Sequence, residues 1–560
     1  AELIKNRSSA SKISQVSQIA SPVSPVTSNL RKGTDKYGNP ITFNERQSEF
    51  ISRVLAGESL CLIGAAGTGK TSAINGALTS LLQEKYIPKW GDDIHRKLSH
   101  DSPGIALIAF THTAVKNIKR AAPPDLKNNC LTYHALMEYS PVVYETEDPE
   151  TGEFKKKRIF EPRRNEINKF PATLRTIVID EASMLSVDFF YKLWKALPAP
   201  TLTQFIFLGD IQQLPPVFGS AILGYKLTDE KRVVELTEVY RQALDSPIIK
   251  LAHRVISGAP IPATEIPDWN FPGKLKIHPW KKKISPDAAT LQLSNFFISA
   301  HESGAYDPES DMILIPYNVS CGTVELNAYI ATFLARKRDV PVYEISAGIA
   351  KCYLSVGDKV LYEKEEAIVV GIERNNSYFG KAPKSESKHL TYFGSYDSQD
   401  TPESSDTFTL QSQMSETQID DILESMASGE DDEDQKALRQ SSHAITITLR
   451  HSQETLTLRS GGDIKNLILA YAITVHKSQG SEYRKVFLTL HQSHATMISR
   501  ELLYTAVTRA REELYVICEP DHFVKGIVSQ KIKGTTLVEK AEFFKGKLER
   551  GEENELKEIL

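Results

Sequence analysis

The stretch Gly64-Ala65-Ala66-Gly67-Thr68-Gly69-Lys70-Thr71 follows the apolar run Leu60-Cys61-Leu62-Ile63 and precedes Ser72 to Gln83, a segment whose composition suits a helix. A strand, a glycine loop and a helix in that order are the context in which a backbone wraps a phosphate. Glycines let successive N–H groups curl around the anion, and the positive end of the following helix faces the same charge. In such a loop Lys70 reaches the β- and γ-phosphates of a nucleotide, and the Thr71 hydroxyl ligates Mg2+. The backbone of Gly64, Ala65, Ala66, Gly67, Thr68 and Gly69 completes the cradle. Taken alone, the loop would do as a plain link between a buried strand and a helix; its flanks favour phosphate.

A phosphate loop specifies a nucleotide and nothing more. The rest of an ATP-hydrolysing site is suggested by Thr176-Ile177-Val178-Ile179-Asp180-Glu181, an apolar strand ending in two carboxylates. There Asp180 positions the metal through water, and Glu181 serves as general base towards the attacking water. Two acids at a strand end are often only solvated, but downstream of a P-loop that reading weakens.

Composition narrows the class. With 560 residues, of which 41% are hydrophobic, the chain is long enough for several domains with sizeable cores. No stretch approaches the roughly 20 consecutive apolar residues of a membrane span, and no basic segment followed by an apolar core opens the sequence. The expectation is a soluble, unexported, cytoplasmic protein. Cys61, Cys130, Cys321, Cys352 and Cys518 stand singly, without zinc-like spacing, and read as buried thiols. The net charge of −4 conceals an asymmetry: residues 391–440 hold 13 acidic residues against Lys436 and Arg439, and without them 65 basic and 58 acidic residues remain. The remainder is mildly basic and compatible with phosphate contacts.

Residues 1–40, rich in Ser, offer no periodic apolar face and read as a disordered tail. From 41 to about 235, β-like runs at 60–63, 105–110, 176–179 and 204–208 alternate with helical patterns, which argues for a parallel sheet flanked by helices. A second α/β region, 236–339 and 463–525, contains Met312-Ile313-Leu314-Ile315 and closes with Glu513 to Cys518. Short runs at 359–362, 367–372, 444–449 and 455–458 suggest a small β-barrel inserted over 340–462, with a polar, acidic loop at 376–440. Residues 526–560 include a charged C-terminal helix, Leu537 to Leu560.

Further segments follow in a telling order: Ala109-Phe110-Thr111-His112-Thr113-Ala114, Thr132-Tyr133-His134-Ala135-Leu136, Gly209-Asp210-Ile211-Gln212-Gln213-Leu214-Pro215-Pro216-Val217, Leu236-Thr237-Glu238-Val239-Tyr240-Arg241-Gln242, Thr474-Val475-His476-Lys477-Ser478-Gln479-Gly480, and Leu503-Tyr504-Thr505-Ala506-Val507-Thr508-Arg509-Ala510. With the two nucleotide segments, this set closely resembles the motifs of superfamily 1 helicases over roughly residues 41–520. Gly-Asp-x-x-Gln-Leu-Pro-Pro-Val and His-Lys-Ser-Gln-Gly are similar to the B branch, typified by RecD and the phage helicase Dda.

The resemblance implies an α/β fold of two RecA-like P-loop domains, the first with a β-hairpin insertion at about 138–172 and the second with the small, SH3-like barrel. It implies ATP and Mg2+ as cofactors, and 5′ to 3′ movement on single-stranded DNA with duplex unwinding in replication, recombination or repair. Gln47, within Phe43-Asn44-Glu45-Arg46-Gln47, matches the residue that reads the adenine edge, an amide being able to donate and accept at once. Gln213 matches the γ-phosphate sensor, Arg241 and Arg509 the arginine fingers, and Glu482 a ribose contact. Thr111, His112, Thr132 and His134, with Asn318, Thr474 and His476, match positions that hold the strand in related enzymes. Each would serve equally well as a satisfied loop-capping group.

Val142 to Glu147 and Glu153 to Ile159 flank Asp148-Pro149-Glu150-Thr151-Gly152, a turn composition suited to a β-hairpin. It lies where Dda-like helicases carry a pin, so Phe154 is either a wedge that stacks on the last base pair or part of an exposed basic hairpin. Forked and single-stranded DNA are the expected partners, with replication or recombination proteins at the tail or the acidic insertion. The alternatives are an RNA-directed or protein-displacing translocase of the same fold, and an ATP-switched binding factor.

Overall fold

The computed structural model describes residues 32–34, 40–84, 104–147, 154–172, 174–238, 246–259, 271, 273–279, 284–347, 350–362, 365–375, 390–391, 394–395, 440–450, 453–465, 467–551 and 556–559. Residues 1–31 and 35–39 of the Ser-rich tail, nearly all of the acidic loop, Arg241 and residues 148–153 lie outside them, while Lys32–Thr34 at the end of the tail pairs antiparallel with Pro40–Thr42 and is not the structureless segment expected there.

The first sheet has six strands in the order Val233–Leu236, Leu60–Gly64, Gln204–Gly209, Leu174–Ile179, Gly104–Ala109 and Cys130–Thr132, all parallel. Its central strands read as unbroken apolar runs because helices cover both faces, and the cores on the two sides are distinct. The second sheet, ordered Leu275–Pro279, Ala510–Cys518, Tyr483–Leu490, Met312–Ile315 and Ala472–Thr474, is also parallel and also carries a core on each face. These are two RecA-like domains. Because every strand of a sheet points the same way, the loops after the strands gather along one edge, where open α/β sheets bind their ligands.

Between the strands of the second sheet runs an antiparallel sheet with its own core, built on Tyr343–Ala347, Ala350–Leu354, Lys359–Tyr362, Glu365–Arg374, Gln440–Leu449 and Thr455–Ser460 and joined by Ile468–Leu469. The barrel expected from sequence is not evident in this path, since among the described residues no pairing joins Ala350–Leu354 to Ile468–Leu469 at its two ends. The sheet is tied down by buried charge: Asp358, fully buried, accepts from Arg338 at 2.9 Å and from the Tyr471 hydroxyl at 3.0 Å.

The hairpin pairs Tyr139–Glu147 with Phe154–Pro162 in antiparallel register from Tyr139↔Pro162 to Glu147↔Phe154. Its root is fixed to the domain by a 2.7 Å ion pair between Arg164 and Glu138 and by the Arg164 amide donating to Met137 O at 3.1 Å.

The C-terminal part departs from the simple charged helix read from sequence. It comprises Pro520–Val528, Leu537–Glu549 and Leu556–Ile559, the last two separated by a turn at Gly551, φ 68°. Leu537–Glu549 leaves the second domain and packs on the first, with Phe544 edge-on to Tyr225 at 4.9 Å and Lys540 fully buried. Amphipathicity hidden under many charges, with Leu537, Ala541, Phe544 and Leu548 on one stripe, explains why.

Candidate nucleotide site and inter-domain cleft

The loop after Leu60–Gly64 turns at Gly67 and Gly69, both with φ above 80°, a conformation that favours glycine. Gly64 is packed as tightly: a Cβ there would lie 2.5 Å from Thr68 Oγ1 and 2.9 Å from Leu236 O. Lys70 begins the helix Lys70–Glu84, and its ammonium donates to the carbonyls of Gly64 at 2.5 Å and Ala65 at 3.1 Å, folded over the loop. Thr71, next on that helix, is exposed. Gln47 is fully buried against this loop: its Nε2 donates to Gly69 O at 3.3 Å, while its Oε1 accepts from Asn44 N at 3.0 Å in a helix capping box. The side chain expected to read adenine thus also braces the P-loop.

Asp180 and Glu181 leave the strand Leu174–Ile179, two strands from the P-loop strand. Asp180 Oδ1 accepts from Glu181 N at 2.9 Å. Burial, and then the neighbouring Glu181, raise the Asp180 carboxyl well above the ordinary carboxylate range; the Glu181 N–H and Lys70 oppose the rise. Added positive charge at this point would hold the carboxylate ionised.

The strand Gln204–Gly209, lying between these two, delivers Asp210 and Gln213. Both are buried, and Gln213 Oε1 has no hydrogen-bond partner among the described residues. A buried amide oxygen left unpaired costs free energy that a ligand can recover. Asp210 Oδ2 accepts from Tyr504 at 2.5 Å, and the same hydroxyl accepts from Ala66 N of the P-loop at 3.0 Å. Tyr504 belongs to the helix Arg500–Val507 of the second domain, so this contact closes the cleft between the domains. Further links run beside it: Leu214 N donates to Thr505 Oγ1 at 2.9 Å, and Gln479 Nε2 donates to Leu214 O at 2.9 Å.

Arg509 is buried in the second domain, donating to Thr505 O at 3.0 Å, Ser481 O at 3.0 Å and Thr508 Oγ1 at 3.2 Å. Glu482 is exposed. Arg241 falls outside the described residues, so the structure brings together Gln47, the P-loop, Asp180, Glu181 and Gln213 from one domain while Arg509 is held by its own.

The residues expected to hold a strand lie on both sides of the cleft. Thr111 and Thr132 spend their hydroxyls as helix N-caps, accepting from Ala114 N and Ala135 N, each at 3.1 Å. His112 is exposed, whereas His134 sits within an aromatic cluster of Phe110, Tyr133, Tyr139 and Phe189. Asn318 is exposed and accepts from Thr323 Oγ1 at 3.0 Å; Thr474 accepts from Lys477 N at 3.3 Å. Burial, aided by Lys531, lowers His476 to about 4, so its imidazole is neutral at physiological pH. Across the cleft, Asn117 Nδ2 donates to Gly480 O at 3.1 Å, and a Cβ on Gly480, φ 78°, would meet Thr111 Oγ1 at 2.8 Å. The side chain of Phe154 lies outside the described residues; its backbone stands beside the turn.

Sequence reading did not single out Tyr504, Asp210, Gln479 or Gly480 as site residues. A lone tyrosine inside the apolar run Leu502-Leu503-Tyr504-Thr505-Ala506-Val507 was the available signal, since a buried hydroxyl needs a partner.

The AAA domain profile matches residues 47–219, and the UvrD-like helicase C-terminal domain profile matches residues 469–517. The chain is 24% identical over 475 residues to the ATP-dependent RecD2 DNA helicase of Deinococcus radiodurans, across 84% of this chain and 48% of that protein. Both profiles and the RecD2 match fall on the segments that carry the nucleotide motifs, so the chain is similar to a DNA helicase along most of its length. The chain spans about half the length of that RecD2 helicase. A shorter helicase match, 34% over 65 residues, is to the RecBCD enzyme subunit RecD of Buchnera aphidicola, covering 12% of this chain and 11% of that one. Among solved structures, the Pif1 helicase from Bacteroides in complex with ADP-AlF3 and ssDNA aligns over 91% of this chain and 98% of its own, with 15% identity and a TM-score of 0.47.

Proposed function

We propose that the chain is an ATP-driven DNA helicase that moves 5′ to 3′ on single-stranded DNA and opens duplex ahead of it in replication, recombination or repair. The observation that carries this reading is the Ala66–Tyr504–Asp210 bridge, which sets a P-loop and paired carboxylates in one domain against the helix that leads to Arg509 in the other. A site shared between two bodies converts nucleotide turnover into their relative motion, because phosphates favour the closed form only while both sides touch them.

Lys70 moves from the Gly64 and Ala65 carbonyls to the β- and γ-phosphates. Glu181 takes the proton of the attacking water, Gln213 donates from Nε2 to the γ-phosphate while its unpaired Oε1 accepts from that water, and Arg241 and Arg509 approach the transferring group. Gln47 and Glu482 hold the base and the ribose. Thr71 and Asp180, at the mouth of the P-loop, are a hydroxyl and carboxylate donor pair of the kind that binds Mg2+ together with substrate phosphates. Held there, such an ion would supply positive charge to the phosphates.

Strand contacts from Thr111, His112, Thr132 and His134 on one side and Asn318, Thr474 and His476 on the other suit the backbone, which a motor must grip without reading sequence. Phe154 is the wedge, and the tail and acidic insertion are where replication or recombination proteins bind. The DNA helicase matched along most of this chain favours DNA over RNA as the track.

Lys70→Ala and Glu181→Gln test the reading together. Lys70→Ala should lose strand-stimulated ATP hydrolysis with folding intact. Glu181→Gln should still bind Mg·ATP and DNA while hydrolysing about a hundredfold or more slowly, since the amide keeps shape and loses basicity. Near-normal turnover in either variant would remove the assigned roles.

A further inference from the structure

The helix Arg500–Val507 touches both halves of the nucleotide machinery within a few residues. Tyr504, 1% exposed, accepts from Ala66 N at 3.0 Å and donates to Asp210 Oδ2 at 2.5 Å. The other oxygen of Asp210 accepts from Gln212 N at 3.0 Å, and its carbonyl accepts from Gln213 N at 3.1 Å. One residue further on, Thr505 Oγ1 accepts from Leu214 N, and Thr505 O accepts from Arg509 Nε at 3.0 Å. A single hydroxyl therefore stands where the P-loop, the loop bearing Gln213 and the helix leading to Arg509 converge.

We infer that Tyr504 is a positioning residue for ATP hydrolysis, its hydroxyl fixing Gln213 and Arg509 in register with the P-loop so that the chemical step depends on it and nucleotide affinity does not. The inference rests on the motor reading above. A phenol suits the task because it accepts and donates at once, joining the Ala66 N–H to the Asp210 carboxylate. A charge-assisted bond in a water-excluded site is short, directional and stronger than its exposed counterpart. Phenylalanine would keep the ring volume and lose both bonds. A slip of about 1 Å in groups that surround a reacting phosphoryl costs on the order of a hundredfold in rate.

The test uses the full chain carrying Tyr504→Phe, with three readouts: single-strand-stimulated kcat and KM for ATP, the Kd of a fluorescent ADP analogue, and the melting midpoint. The expected result is a kcat reduced about tenfold or more, with KM and Kd within about twofold of wild type. Thr505→Val serves as comparison, since it cuts the Leu214 bond on the same helix and leaves the Ala66 link; its loss of kcat should be the smaller. A kcat for Tyr504→Phe within about twofold of wild type overturns the inference. So does a parallel fall in kcat, nucleotide affinity and melting midpoint, the mark of a purely structural role. Should Tyr504→Phe not fold, Asp210→Asn decides in its place: it weakens the same bond without changing shape and must give the same split, or the inference falls. A wild-type chain without ATPase activity would overturn the motor reading itself, an outcome distinct from an active wild type beside an indifferent Tyr504→Phe.

Discussion

Glu181 adopts φ 51° and ψ 43°, left-handed values that a non-glycine residue takes at a cost of roughly 1–3 kcal/mol. The turn is imposed from both sides: Asp180 N donates to Ile108 O at 2.8 Å as the sheet ends, and Met184 N donates to Glu181 O at 2.9 Å as the next turn begins. His494 is a buried imidazole held neutral by its surroundings. It is 1% exposed, its Nε2 donates to Ser320 O at 3.1 Å and its Nδ1 accepts from His491 N at 3.4 Å. Burial first, then His491, lower its pKa to about 4, against the upward pull of the Ser320 bond. The unfolded chain thus takes up the proton first as pH falls below about 6.5, so His494 contributes stability that is complete above that pH and is lost progressively towards pH 4. Relative to neutral pH, about 2 kcal/mol is lost by pH 5. Thermal midpoints of wild type should fall over this interval, and His494→Gln should flatten the slope; an unchanged slope contradicts the assignment. Residues such as Lys70, Asp180 and Gln213 were legible because their chemistry is local to short motifs. Tyr504 was not, because its partners Ala66 and Asp210 lie hundreds of residues away and only folding brings them together.

Leu537–Glu549 illustrates the same point for an element. Its helical nature follows from composition and a capping box at Thr536, but its docking depends on Gly224, where a Cβ would lie 2.2 Å from the Phe544 ring. Alanine in a helix is normally favoured over glycine by up to about 1 kcal/mol. Gly224→Ala should instead destabilise by about 1–3 kcal/mol, because the ring has to leave its seat. The sign of the change in a denaturation experiment is the test, and stabilisation would mean that Phe544 does not pack there. The central strands of both sheets were visible from sequence because burial on two faces writes an uninterrupted apolar run. The inserted sheet was visible as short alternating runs, but its strand order was not, and the barrel expected of it is not evident, since the order rests on pairings such as Glu365–Arg374 with Gln440–Leu449, 66 positions apart in sequence at their nearest ends. In the hairpin, Phe154 stands opposite Glu147 beside the turn. Stacking on an aromatic ring is worth roughly 1–3 kcal/mol per base, so Phe154→Ala should depress fork unwinding while single-strand translocation stays near wild type. Parallel changes in both activities would remove Phe154 from strand separation.

For the molecule as a whole, the two parallel sheets present their loop edges to one cleft, bridged at the P-loop by Tyr504 and beside Thr111 by Gly480 with Asn117. On the proposed motor reading, a change in the first contact reaches the second as the two sheets move against each other. The C-terminal segment spans the same two bodies: Gln212 Nε2 donates to Thr535 O at 3.1 Å, and the buried Lys540 faces Glu501 at 4.0 Å. Motif order was enough to read the two-body plan from sequence. The proposed 5′ to 3′ direction rests on the resemblance to the B branch and on no single contact. The decisive measurement is unwinding of forked DNA carrying a single-stranded overhang at either the 5′ or the 3′ side, with and without ATP. The account requires ATP-dependent strand separation from the 5′ overhang and little from the 3′ overhang; equal or better unwinding from the 3′ overhang, or separation without ATP, would contradict it.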